Sequence, residues 1–235
     1  MTAIENASTS AAASAPARAG AAARVRASRV GRARFGRTEF LLPAAAFLLL
    51  APLYAALSVT GHYQGRTSGF DLGIFVQQIS SYADGRAPTS DLLGTGWNTL
   101  GDHFSPITVL LAPFYAVAPA PETLLVAQAV LFAVGVVPLT RWAHRALGVV
   151  PAVVVALGYG LSWGLQSALN FDFHEIAFAV PLLAFAMSAL GQGRWRSAAL
   201  WTLPLVWVKE DMGLTVVVIG ALIAVWTTGR DRVVG

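Results

Sequence analysis

Positive and negative side chains alternate along this chain from one loop to the next, with apolar stretches between them. Thirteen of the fifteen arginines fall in four groups: the tail at residues 18–37, Arg141 with Arg145, Arg194 with Arg196, and Arg230 with Arg232. Most acidic residues lie on the other loops. Because Lys and Arg collect on the cytoplasmic loops of membrane proteins, this sorting predicts a multi-pass protein of the cell membrane with a cytoplasmic N-terminus.

The acidic residues form three groups on the loops that we expect to face outward. They are Asp71, Asp84, Asp91 and Asp102 on one long loop, Asp172 and Glu175 on a short one, and Glu210 and Asp211 beside Lys209. Lys209 is the single lysine in a chain that otherwise uses arginine. Any chemistry is therefore expected on the outer, acidic side.

The composition argues against a soluble domain. Charged residues make up only 12% of the chain and hydrophobic residues 56%, whereas soluble domains average about 25% charged. Seven arginines of the basic tail run directly into an apolar stretch, which predicts contact with membrane lipid and no nucleic-acid partner. The absence of cysteine excludes disulfides, thiolate metal sites and cysteine nucleophiles.

Two regions differ sharply in composition. Residues 1–37 are rich in Ala, Ser, Arg and Gly and nearly lack large apolar side chains, so we predict a disordered basic cytoplasmic tail. An organelle transit peptide is the alternative, and a basic leader that orients the first helix is favoured. Residues 38–235 are predicted to form one transmembrane helical domain, in which residues 60–106 are an outer loop.

The predicted fold is all-α: a polytopic transmembrane helical bundle of about six spans. The apolar stretches that support it are 40–59, 107–120, 124–139, 149–169, 176–190 and 195–228. The second stretch is short and interrupted by prolines. If it crossed the membrane completely, Arg141 and Arg145 would share a side with the acidic loop, so we interpret it as a re-entrant helix.

Lys209, Glu210 and Asp211 interrupt the last apolar region. Each charge costs about 2.5–3.5 kcal/mol at the centre of a membrane helix, so three together require water, mutual pairing or a ligand. About fourteen residues precede them in the stretch, too few for a full crossing, which places the triplet somewhat below the outer surface. The lysine suits a phosphate, and a Lys–Asp pair at the interface is the alternative.

The segment SGFDLGIFVQQI in the long loop predicts an amphipathic helix lying on the membrane surface. Its apolar positions follow an approximate helical spacing: Phe70, Ile74, Ile79 and Tyr82. Asp71 would stand at the N-terminus of this helix. It is either an ordinary helix cap or a reactive carboxylate.

Two further motifs carry candidate ligands. In GDHFSPI, Asp102 and His103 could bind a metal or a phosphate, although neighbours in an extended segment point to opposite faces, and a structural loop histidine is the alternative. In NFDFHEI, Asp172, His174 and Glu175 could hold a cation or orient a hydroxyl. The alternative there is an interfacial loop with solvated charges.

Four segments, FDLGIF, HFSPI with the following LLAPFYA, FDFHE and KED, together resemble a bacterial polytopic family catalogued as domain of unknown function 2079. That family is similar in architecture to the GT-C glycosyltransferases. The resemblance runs over about residues 60–225 in the same order. It covers what looks like the N-terminal half of a family member, so we expect further spans beyond Gly235.

The resemblance implies a mechanism. Asp71 would be the general base on an acceptor hydroxyl that attacks a polyprenyl-phosphate-linked sugar. Lys209, with His103 or a divalent cation held by Asp172 and Glu175, would stabilise the leaving phosphate. Besides this transferase, two alternatives stay open: a transporter or permease-like bundle whose charges, including Glu210 and Asp211, line a path, and an inactive truncated remnant.

Overall fold

The computed structural model describes residues 37–231, with side chains through Thr227. The predicted disordered tail lies outside the described residues, except for Arg37. The helices are α1 Thr38–Tyr63, α2 Phe70–Ala83, α3 Ala112–Val117, α4 Pro121–Leu147, α5 Val149–Gly160, α6 Trp163–Leu169, α7 Ala179–Gly191, α8 Trp195–Thr202 and α9 Met212–Asp231. The predicted all-α class is confirmed.

Short elements connect these helices. Four 3-10 helices cover Thr99–Gly101, Pro106–Leu111, Glu175–Phe178 and Leu203–Trp207. Two strands of two residues each, β1 Thr89–Ser90 and β2 Trp97–Asn98, pair antiparallel in the long loop, with Thr89 opposite Asn98. This small hairpin gives the loop a fixed shape between α2 and the 3-10 helix at Pro106–Leu111.

Two single helices of the described chain, α1 and α4, are long and apolar enough to cross a membrane. The pair α5 and α6 makes a third candidate, bent by 40°. The remaining apolar segments, at Pro106–Val117, Glu175–Gly191 and Met212–Thr227, are shorter. Large apolar side chains on α1 are exposed, such as Leu48 and Leu49 at 68% and 67%, as expected for a surface that faces lipid.

Helices α1 and α4 run antiparallel and are joined at both ends. At one end Glu39, which is buried, pairs with Arg141 at 3.1 Å and with Arg145. At the other end the Tyr63 hydroxyl donates a hydrogen bond of 2.7 Å to Glu122. We call these the arginine end and the acidic end. Glu39 is an acid at the arginine end, so it is an exception to the sorting of charge. It neutralises part of the positive charge there.

The apolar stretch 149–169 was predicted as one continuous span, and the structure breaks it at Leu161 and Ser162. The break follows from the carbonyl of Gly160, which accepts hydrogen bonds from the Tyr54 hydroxyl at 2.7 Å and from Gln166 at 2.9 Å. These side chains replace a backbone donor of a continuing helix. Ser162 is extended, with φ −61° and ψ 135°, and the chain changes direction there.

The largest buried cluster lies at the acidic end and joins α2, α3, α4 and α7. Phe173 is fully buried at its centre, and its ring meets that of Phe75 edge-on, with centroids 5.2 Å apart. A second cluster surrounds the buried Tyr54 between α1, α4 and α6. The first cluster therefore fixes the loops that carry most of the acidic residues.

Helix α2 forms where the sequence predicted it, and its buried face differs from the apolar set that the sequence singled out. Phe70 is exposed, Ile74 and Tyr82 are half-buried, and only Ile79 of that set is buried. The core is instead reached by Leu72 and Phe75 with Ile79. Leu72, Phe75 and Ile79 follow one another at spacings of three and four residues, and the Phe173 ring that they pack with comes from a distant part of the chain.

Substitution of Gly135 by Ala should destabilise the protein by about 1–3 kcal/mol through overpacking. An added Cβ would meet the Tyr159 hydroxyl and lie 3.2 Å from Val180, and that hydroxyl is held by a hydrogen bond of 2.6 Å to the Phe132 carbonyl. The free energy of unfolding, measured by SDS titration in mixed micelles, tests this.

Gly158→Ala is the matched control, since an added Cβ at this helical, exposed position meets nothing within 4 Å. It should be neutral or stabilising by up to about 1 kcal/mol. Equal destabilisation by the two substitutions would contradict close packing between α4 and α5.

Candidate functional site

Four loop segments meet at the acidic end of the bundle. They are the start of α2, the segment before Pro106, the segment between α6 and the 3-10 helix at Glu175–Phe178, and the segment before α9. Three contacts connect them: His174 with Asp71 at 3.6 Å, Lys209 with Glu175 at 2.9 Å, and His103 with Glu210 at 3.4 Å. The structure thus brings FDLGIF, HFSPI, FDFHE and KED into one site.

Asp172 is buried and holds the beginning of α2. One carboxylate oxygen accepts the backbone N–H of Ser68 at 3.1 Å, and the other accepts the Ser68 hydroxyl at 2.5 Å and the Leu72 N–H at 3.4 Å. The N-cap residue Gly69 is left-handed, with φ 79°, a conformation that favours glycine. The capping role that the sequence allowed for Asp71 therefore belongs to Asp172.

Asp71 lies in the first turn of α2 with its side chain 37% exposed, facing His174. The Nδ1 atom of His174 is 3.1 Å from the backbone carbonyl of Asp172. Because a carbonyl can only accept, Nδ1 carries the proton, and Nε2 is the atom directed at Asp71. The distance of 3.6 Å between Nε2 and Oδ2 exceeds a hydrogen bond, so both atoms can engage a hydroxyl.

Glu175 is the second buried acid of the site, and Lys209 is its counter-charge. The carboxylate is 1% exposed and lies 2.9 Å from the lysine Nζ. This close contact with the Glu175 carboxylate raises the pKa of Lys209, which keeps the ammonium charged. Lys209 remains 27% exposed, so it neutralises a buried charge and also faces the solvent.

Glu210 connects the KED segment to the HFSPI segment. Its carboxylate is 3.4 Å from Nδ1 of His103 and accepts the backbone N–H of Phe104 at 3.1 Å. A hydrogen bond from its own backbone N–H lowers the pKa of Glu210, and hydrogen bonds from the His103 side chain and the Phe104 N–H act in the same direction. The other ring nitrogen of His103, Nε2, lies 3.8 Å from Oδ2 of Asp102. Asp211 is exposed, directly before α9.

The sequence-based hypothesis of a cation site at Asp172, His174 and Glu175 is not supported by the arrangement of these side chains. Asp172 caps α2, His174 faces Asp71, and Glu175 faces Lys209. Within the described part of the chain, no group of three or more His, Asp or Glu side chains is placed to hold a metal ion. Each side chain is committed to a different neighbouring segment.

Sequence reasoning missed several amides and hydroxyls that support the site. Gln128 of α4 is buried, accepts the His174 N–H at 3.0 Å and donates to the Ala168 carbonyl at 3.2 Å. Gln78 of α2 is buried and donates to Ser105 and Thr108. An amide inside an otherwise apolar membrane helix is a signal that could have identified Gln128.

Exposed aromatic rings surround the Asp71–His174 pair. Phe171 is stacked on the His174 ring, with centroids 5.2 Å apart, and is 50% exposed. Phe70 precedes Asp71 and is 53% exposed. Aromatic side chains of this kind sit at the level of lipid head groups in membrane proteins. The site therefore combines a carboxylate and an imidazole with an apolar surface.

Asp172→Asn should lower the free energy of unfolding by about 1–3 kcal/mol. The amide offers one acceptor oxygen in place of two and turns an NH₂ group toward donors that then lack a partner. Asp84→Asn is the control, because Asp84 is exposed and its only described side-chain partner is Arg86; its effect should stay below about 1 kcal/mol. Equal losses for the two variants in SDS titration would contradict the capping role.

Lys209→Met should destabilise the protein by about 3 kcal/mol, because it leaves the buried Glu175 carboxylate without its counter-charge. Adding Glu175→Gln removes that charge, so the double variant should be more stable than Lys209→Met alone. A double-mutant cycle on the free energy of unfolding measures the coupling. Strictly additive losses would show that the two side chains do not depend on each other.

Comparison with known proteins agrees with these features. The family model described as a predicted membrane protein (DUF2079) matches residues 62–234, a range that contains all four segments of the site. Neither curated proteins nor solved structures gave a match. Since the match covers well over half of the 235 residues, this chain belongs to the DUF2079 family of membrane proteins.

Proposed function

We propose that this protein is a glycosyltransferase-like membrane protein that uses a polyprenyl-phosphate-linked sugar at the acidic end of its bundle. The observation that carries the proposal is the half-buried, solvent-accessible Asp71–His174 pair, with Nε2 and Oδ2 separated by 3.6 Å, beside exposed phenylalanine rings. A transferase of this class needs a base at the membrane interface and an apolar surface for the carrier lipid.

Asp71 accepts the proton of the acceptor hydroxyl in this mechanism. The hydroxyl oxygen attacks the anomeric carbon, the bond between that carbon and the phosphate oxygen breaks, and polyprenyl phosphate leaves with the bonding electron pair. His174, whose Nδ1–H donates to the Asp172 carbonyl, keeps Nε2 directed at Asp71 and stabilises the carboxylate or accepts a hydrogen bond from the hydroxyl.

Lys209 supplies positive charge for the leaving phosphate, and His103 is a second candidate partner of that phosphate. An ammonium group has three donors, and the Glu175 contact accounts for one of them, so two remain for phosphate oxygens. His103 lies at the same end and is 55% exposed. Asp102, Glu210 and Asp211 add negative charge around these groups, which keeps an empty site from holding anions strongly.

The separation of charges favours a transferase over a transporter. Glu122 and Arg141 lie near opposite ends of α4, about 28 Å apart along the helix, and no ionisable residue stands between them. A transport path is expected to carry charged side chains at intermediate depths. The orientation proposed with this function has the acidic end outward and the arginine end in the cytoplasm.

The test is release of polyprenyl phosphate by the chain in liposomes that contain polyprenyl-phosphate-linked sugars and a cell-envelope fraction as acceptor. Asp71→Asn should lower the rate by at least about 100-fold, the usual contribution of a general base, without changing membrane insertion. Asp84→Asn, which removes an exposed acid of the same loop, should leave the rate unchanged.

Two outcomes would overturn the proposal. One is a wild-type protein that releases no polyprenyl phosphate from any lipid-linked sugar supplied. The other is an Asp71→Asn variant as active as the wild type, or a loss of the same size in Asp84→Asn. A His174→Gln variant should lower the rate and also shift its pH profile, which a purely structural role would not do.

A further inference from the structure

The arginine end contains a cavity of about 230 Å³ between α4, α7 and α8. Its polar wall includes Arg141, Arg145, Gln192 and Arg194, and its apolar wall includes Phe185 and Trp201. The rings of these two aromatic residues are stacked with centroids 4.4 Å apart. The cavity is smaller than the roughly 300–1,000 Å³ of a site for a drug-sized ligand, so it fits a head group or a small ion.

Positive charge exceeds negative charge around this cavity. Three guanidinium groups line it, and two of them, those of Arg141 and Arg145, contact the buried carboxylate of Glu39. Glu39 accepts from Nε of Arg141 at 3.1 Å and from Nε of Arg145 at 2.5 Å. Arg141 and Arg145 therefore share this carboxylate, and Arg194 makes no contact with it among the described residues.

Two of these arginines, Arg141 and Arg194, keep donors available. Within residues 37–227, the Nε of Arg141 is the only atom of its guanidinium that donates a hydrogen bond, and its planar group lies over the Phe40 ring at 4.6 Å. Arg194 is exposed and makes no side-chain hydrogen bond in the same range. Planar guanidinium groups match the oxygens of phosphate in paired hydrogen bonds.

We infer that this cavity binds a phosphate-bearing anion, either the head group of an anionic phospholipid or a soluble phosphate. Three arginines in the wall of one cavity match the charge of a phosphate, and basic pockets between membrane helices bind anionic head groups. The stacked aromatic wall offers a surface for the glycerol and upper acyl part of a lipid. This cavity is at the arginine end, whereas Asp71 is at the acidic end. The inference therefore does not depend on the proposed transferase activity.

Binding to the full chain in detergent is measured by native mass spectrometry with three probes: phosphatidylglycerol, phosphatidylcholine and inorganic phosphate. Phosphatidylglycerol should be retained over phosphatidylcholine. Arg194→Glu should weaken its binding by about tenfold or more. The matched control is Arg196→Glu, which makes the same charge change two residues away on an exposed side chain that does not line the cavity, and it should change binding less than about twofold.

Each result decides one part of the inference. Phosphatidylglycerol binding that depends on Arg194 supports a lipid head group, and phosphate binding with the same dependence supports a soluble ligand. Equal weakening by Arg194→Glu and Arg196→Glu would overturn the proposal, because it would mean diffuse attraction to a basic surface. Absence of binding by any anionic probe to the wild type would overturn it as well. The Arg194 side chain has no described partner, so its replacement should not unfold the chain. The melting temperature of Arg194→Gln, expected to be unchanged, is the folding check.

Discussion

The buried carboxylate of Asp172 is the interaction on which the acidic end of this protein depends. A charged group in a low-dielectric interior is costly unless donors surround it, and Asp172 obtains them from Ser68 and from the first turn of α2. The same contact fixes the direction of α2, the position of Asp71 on it, and the backbone carbonyl that orients His174. One hydrogen-bonded charge thereby joins two segments about a hundred residues apart in the chain.

The second constraint is the membrane, which separates the charges of this chain into two ends. Helix α4 carries Glu122 at its start and Arg141 and Arg145 in its final turns, with an apolar middle. At the acidic end the excess of carboxylates is offset by a few cations, chiefly Lys209. At the arginine end the excess is positive, and the Glu39 carboxylate offsets part of it. Each end thus contains a buried acid paired with a basic side chain, because neither sign of charge is stable alone near an apolar interior.

The candidate site shows which parts of a membrane protein can be predicted from local sequence. The interruption of the last apolar region by Lys209, Glu210 and Asp211 was predictable, since three charges cannot remain inside a membrane helix. The break at Leu161 was not, because it depends on the Tyr54 hydroxyl, which α1 brings to the Gly160 carbonyl. The partners of Asp172, His174 and Glu175 were not predictable for the same reason: the three residues are close in sequence, and each contacts a different segment.

The sequence by itself determined the helical class, the membrane location, the sorting of charge and the identity of the four polar segments, because hydropathy and charge act over short stretches of chain. Only the tertiary structure decided the pairings: Asp172 with Ser68, His174 with Asp71, Glu175 with Lys209, and Glu39 with Arg141 and Arg145. These contacts join residues far apart in the chain. Their energy depends on distance and burial, which no local pattern of residues encodes.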